Sequence, residues 1–140
     1  MIKFINKLFP LNRSLAGNDN RKTLKIIKSK IPKLKIKSFD SGNKVFDWTI
    51  PKEWEVSDAY VLDETGKKIK DYKICNLHLA TYSIPFEGYL SSKQLLKKII
   101  THKTLKNAIP YKTLYYKKDW LVCLSKNQLE KIKKNKNKFY

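Results

Sequence analysis

With 140 residues, 41% of them apolar, the chain carries enough side chain for one core, so one compact domain or a domain with an appendage is expected. No apolar run approaches the roughly 20 residues of a membrane span. The opening Met1–Pro10 is broken by Lys3, Asn6 and Lys7, short of a secretory apolar segment, so a cytoplasmic location is expected. The formal charge of +19 rests almost wholly on lysine, with Arg13 and Arg21 the two arginines; the planar fork that reads phosphate and guanine is nearly absent, and a nucleic-acid partner is not expected.

In chain order, Ile2, Phe4, Ile5, Leu8 and Phe9 mark a helical face that Pro10 stops. Leu11 to Asn20 reads as a loop, with Asn18-Asp19-Asn20 offering an N-cap. A second helix is predicted over Arg21–Lys30, its apolar face at Leu24, Ile27 and Ile31, closed by Pro32. The period then turns to alternation, and Leu34 to Ser38 predicts a half-buried strand. After the turn Asp40-Ser41-Gly42-Asn43, a strand is predicted over Val45–Ile50, ended by Pro51. Val56–Leu62 and Lys68–Ile74 flank Asp63-Glu64-Thr65-Gly66-Lys67 and read as a hairpin, Gly66 supplying positive φ.

Leu77–Ser83 predicts a further strand. Ser91 and Gln94 have capping-box spacing and predict a helix to about Thr101, followed by a long loop over His102–Thr113. Trp120–Leu124 reads as a strand, and Ser125 with Gln128 opens a terminal helix that fades into a lysine-rich tail. The alternation of helices and strands sets the class as α+β. The lysine-rich stretch 126–140 reads as a basic helical tail.

Little in the chain marks catalysis. A hydrolytic zinc site needs several His, Asp or Glu ligands converging on one point, yet His78 and His102 are the two histidines, with no HExxH or HxxxH. His78 fits a ligand, a general base or a hydrogen-bonded structural residue; His102 fits a solvated helix end. Ser14 and Ser83 lie in no nucleophile pattern, and Gly66-Lys67 lacks phosphate-loop spacing. Cys75 and Cys123 show no CxxC spacing and read as free thiols. Tyr111, Tyr115 and Tyr116, near Trp120, fit either a recognition surface or the plug of a small β domain.

Three stretches together resemble bacterial aminopeptidase-like proteins: Leu8-Phe9-Pro10-Leu11-Asn12-Arg13-Ser14-Leu15-Ala16-Gly17 with Arg21-Lys22-Thr23-Leu24; Val45-Phe46-Asp47-Trp48-Thr49-Ile50-Pro51-Lys52-Glu53-Trp54; and Asn76-Leu77-His78, Tyr82-Ser83-Ile84-Pro85, Ala108-Ile109-Pro110-Tyr111 through Trp120-Leu121-Val122-Cys123. Members of that family are similar to di-zinc exopeptidases of metallopeptidase family twenty-eight and are considerably longer. The resemblance implies an α/β peptidase domain interrupted early by a small β-rich domain, with 1–43 opening the first and 44–125 forming the second. It implies a zinc hydrolase of peptide or related amide bonds in full-length relatives, while the family's metal motif has no counterpart in this sequence. On this reading the chain alone is inactive, and Arg13, Asp47, His78, Tyr111, Tyr115 and Tyr116 are the candidate substrate-binding residues. A complementing C-terminal polypeptide or self-association is the expected partner, because Leu24, Ile27 and Ile31 otherwise lack a face to pack on. The alternative is a stand-alone saccharide- or peptide-binding module with an aromatic patch.

Overall fold

A computed structural model describes residues 2–13, 16–134 and 138–140; Ser14 and the centre of the lysine-rich tail lie outside them. The fold is α+β, in two compact units, residues 1–56 and 57–140.

In the first unit, helix α1 spans Ile2–Leu8 and α2 spans Asn18–Lys28. The second helix starts earlier than its sequence predicts because Gly17, at φ 141°, takes the cap position and lets Asn18 enter the first turn. The backbone N–H and side-chain amide of Asn18 both donate to the Glu55 carboxylate at 2.7 Å, an anion placed where the helix leaves its first donors open. Arg21 grips the Glu53 carboxylate with both terminal nitrogens, which ties residues 53–55 to this helix.

The strand predicted over Leu34–Ser38 does not form. Its alternation is sound, but no neighbouring strand offers a ladder, and every residue from Lys35 to Ser38 is exposed. The strand predicted over Val45–Ile50 is instead a tight hairpin of β1 (Lys44–Val45) and β2 (Trp48–Thr49), paired antiparallel with Val45 opposite Trp48. Phe46 makes the turn at φ 56°, a left-handed conformation that costs a non-glycine residue about 1–2 kcal/mol. Among the described residues of this unit, Thr23 and Gly17 are the buried ones, and no large apolar side chain is buried.

The second unit carries the core. Strands β3 (Tyr60–Leu62) and β4 (Lys68–Asp71) form the predicted hairpin, with Gly66 at φ 79° in the turn. Leu77–Ser83, predicted as a strand, opens instead as a 3-10 turn over Asn76–His78 and then makes two isolated bridges, Leu79 to Val122 and Thr81 to Thr113. After the short strand β5 (Leu90–Ser91), the predicted capping box is present: the Ser91 hydroxyl accepts from the Gln94 N–H, and the Gln94 side chain accepts from the Ser91 N–H. The helix it opens, α3, stops at Leu96. Ile99, Ile100 and Thr101, read from sequence as its continuation, form β6 and pair in parallel with β7, Val122–Leu124. Three successive β-branched residues favour that outcome once a partner strand is in reach.

The second capping box also forms, with Ser125 N–H donating to the Gln128 side chain at 2.9 Å, and opens α4, Lys126–Lys134. The tail then returns rather than fading out: β8 (Lys138–Phe139) pairs antiparallel with β5, and Tyr140 exchanges two backbone hydrogen bonds with Leu62.

Alternation along β7 sorts two cores. Val122 and Leu124 face Leu95, Ile132 and Phe139, with Ile99 and Trp120 packed against them; Cys123 faces the opposite way, onto Ala80 and Leu114, with Tyr82, Ile100 and Ile109 closing over it. Both cysteines are free, Cys123 fully buried and Cys75 half-buried.

Candidate functional site

The second core rises to the surface through tyrosines. Tyr82 packs on Ala80, Leu114 and Cys123, at a position where its own backbone takes φ 63°. The edge of Tyr115 meets it at a ring-centre distance of 5.2 Å, and Tyr116 meets Tyr115 at 4.7 Å, each nearly perpendicular. Such edge-to-face pairs set the positive rim of one ring against the negative face of the next. Tyr82 and Tyr115 are half-buried, and Tyr116 stands 95% exposed at the end of the series. Tyr111 lies beside the same group, its hydroxyl 3.2 Å from Thr81 Oγ1, and burial together with Tyr115 and Tyr111 pushes the Tyr82 phenol up. Three of the residues singled out in sequence, Tyr111, Tyr115 and Tyr116, are thus brought together. Tyr82 was missed as their anchor, because its neighbours Ser83, Ile84 and Pro85 make it read as part of a strand end.

His78 approaches this core from its backbone side. Its Nδ1 donates to the Cys123 carbonyl at 2.8 Å, which fixes the tautomer and leaves Nε2 as the acceptor. Burial lowers its pKa, outweighing the bond to Cys123, and Lys70 adds repulsion, so the ring is neutral at pH 7. His102 is not a solvated helix end: its Nδ1 accepts from the backbone N–H groups of Thr104 and Leu105 and caps a turn after β6. Arg13 and Asp47 belong to the first unit and are exposed there.

These groups do not fit a zinc centre. Among the described residues, no three or more His, Cys, Asp and Glu side chains converge so as to hold a metal ion. His78 offers Nε2 in the tautomer that a metal takes, but without companion ligands. Burial pushes the Cys123 thiol up to about 11, away from the thiolate that ligation or nucleophilic attack requires.

A second aromatic group flanks β7. Phe86 stacks on Trp120 at 4.6 Å, and Lys98 lies over the Trp120 ring while pairing with Asp119. The Lys98 ammonium, with the Trp120 N–H, holds the Asp119 carboxyl down to about 2. The folded protein thus keeps this carboxylate ionised below its ordinary range, and the stability it contributes is complete above about pH 4 and is lost as pH falls towards about 2. Urea midpoints across that window should fall for the native chain and flatten in Asp119→Asn. An equally steep fall in the variant would assign the acid sensitivity elsewhere.

Comparison with known proteins gives three findings. Residues 53–140 match the family described as Domain of unknown function (DUF2172). A Clostridium acetobutylicum protein, provisionally named a polysaccharide biosynthesis protein with aminopeptidase-like domain, is 44% identical over 128 residues, covering 91% of this chain and 29% of the relative. A crystal structure of a protein from the same organism, provisionally named a peptidase, superposes with a TM-score of 0.91 at 41% identity, over 98% of this chain and 32% of that one. The chain therefore spans less than a third of the length of either. No helix among the described residues is long and apolar enough to cross a membrane.

Proposed function

Because the chain belongs to the DUF2172 family, a domain of unknown function, we propose that it is the substrate-facing N-terminal part of an aminopeptidase-like hydrolase acting on peptide or related amide bonds. The observation that carries this reading is the 41% identity at a TM-score of 0.91 to a protein named as a peptidase. In it, residues 1–43 open the peptidase domain, 44–125 form the inserted β-rich domain, and 126–140 are its basic helical end. The zinc implied for full-length relatives is assigned to the stretch of those proteins that this chain does not cover, and no step of the reaction is routed through these residues. Tyr111, Tyr115 and Tyr116 present ring faces and hydroxyls to a substrate at small entropic cost, with His78 as a further contact in the same unit; Arg13 and Asp47 are separate candidates, each within the first unit.

The test uses a chimera in which this chain replaces the matching 128 residues of the Clostridium acetobutylicum relative. The chimera is expected to release the amine from aminoacyl 4-nitroanilides, and the 140-residue chain alone to release none with or without added zinc. Tyr116→Ala should raise KM about tenfold while leaving the fold intact, as loss of a binding contact does. Zinc-dependent turnover by the chain alone, or a chimera silent towards every amide offered, would overturn the proposal.

A second reading, a saccharide- or peptide-binding module, is favoured by the exposure of Tyr116 at the outer end of its series. It predicts that the chain alone binds an oligosaccharide or peptide and that Tyr116→Ala abolishes the binding.

A further inference from the structure

The β1–β2 hairpin combines two features that its own unit does not use. Phe46 occupies the first turn position at φ 56°, where glycine or asparagine is the ordinary choice. Its ring is 99% exposed, and Trp48, across the hairpin, is 49% exposed. A backbone conformation that disfavours a bulky residue thus holds an aromatic ring at the outermost point of a turn, with nothing in the unit gained from its burial. The hairpin base is nevertheless well fixed: Gly42 N–H donates to the Ile50 carbonyl, Ile50 N–H to the Asn43 carbonyl, each at 2.9 Å, and the Ser41 hydroxyl to the Pro51 carbonyl at 2.8 Å. The turn is a rigid mount for one ring. The unit that carries it has no buried large apolar side chain among its described residues, and it leaves Phe39 72% exposed as well.

We propose that the β1–β2 hairpin is a docking wedge whose Phe46 ring inserts into an apolar pocket of the polypeptide corresponding to the part of the relatives that this chain does not cover. The inference rests on the reading of the chain as one part of an aminopeptidase-like protein. Two observations choose that occupant. The Clostridium acetobutylicum proteins continue for more than twice the length of the matched region. The described residues of the unit at issue bury no large apolar side chain, as in a layer whose opposite layer is supplied from elsewhere. A pre-formed turn presenting one aromatic anchor is also the arrangement that loses least conformational freedom on docking.

Phe46→Gly separates docking from folding, since glycine accepts φ 56° without strain and the lost ring touches little within the chain. In the 140-residue chain alone, trypsin is expected to cut at Lys44 and Lys52 readily and at the same rate with or without the substitution. In the chimera described above, those sites should be protected, and Phe46→Gly should speed their cleavage at least about tenfold, the loss expected of an interface anchor. Phe46→Leu should restore most of the protection. Equal protection in native and Phe46→Gly chimeras would overturn the wedge. So would sedimentation showing that the chain alone forms dimers that Phe46→Gly dissolves, or Phe46-dependent binding to phosphatidylglycerol vesicles, which would give the ring to a second copy or to lipid. Turnover by the chimera is read in the same samples: hydrolysis with unchanged cleavage rejects the wedge alone, and Phe46-dependent protection without hydrolysis rejects the enzymatic reading alone.

Discussion

Phe139→Ala should cost the second unit about 3–5 kcal/mol, the range for removing a buried aromatic ring, although the residue lies next to the last in a lysine- and asparagine-rich stretch. Its side chain is 2% exposed and packs with Leu95, Val122, Leu124 and Ile132. The substitution opens a cavity between α3, α4 and β7 that those elements close only partly. For a unit whose stability is on the order of 0.05–0.15 kcal/mol per residue, such a loss removes a large share of the total. Urea denaturation followed by tryptophan emission measures it, Trp120 being packed against this core. A loss in unfolding free energy smaller than about 1 kcal/mol would mean that β8 is not part of the folded core.

Leu124→Ala should cost a similar amount, about 3–5 kcal/mol, at the upper part of the range for leucine. Leu124 is fully buried at the end of β7, between a parallel strand on one side and the start of α4 on the other. Neighbours held by strand pairing on one side and within a helix on the other have little freedom to collapse into the space. Because Leu124 and Phe139 share a cluster, the double variant should lose measurably less or more than the sum of the two. Strict additivity would place the two side chains in separate clusters.

What was legible in the sequence was local. Both capping boxes, Ser91 with Gln94 and Ser125 with Gln128, are formed by residues three apart and need no information from elsewhere. The hairpin around Gly66 is likewise specified by its own turn. The errors arise where a distant partner decides. Leu34–Ser38 alternates correctly but finds no ladder, and Ile99–Thr101 continues a helical period until Val122–Leu124 captures it. Phe139 is an isolated aromatic among lysines, and only β5, far back in the chain, makes it a strand residue. At the candidate site the order is reversed: the exposed tyrosines stood out by type, whereas Tyr82, which holds them to the core, is distinguished only by packing.

The return of Tyr140 to Leu62 and of β8 to β5 has a consequence in time. During synthesis at about 5–20 residues per second, the β3–β4 hairpin emerges several seconds before Tyr140, which pairs with Leu62 at its edge. Until then Leu62 presents an open N–H and carbonyl, and Leu95 and Leu124 lack one wall. Folding of this unit is therefore held to the arrival of residues 138–140, and the waiting chain exposes the kind of strand edge that invites mispairing. The excess of lysine that runs the length of the chain keeps neighbouring copies apart through that interval, and so protects the nascent chain as well as the finished one.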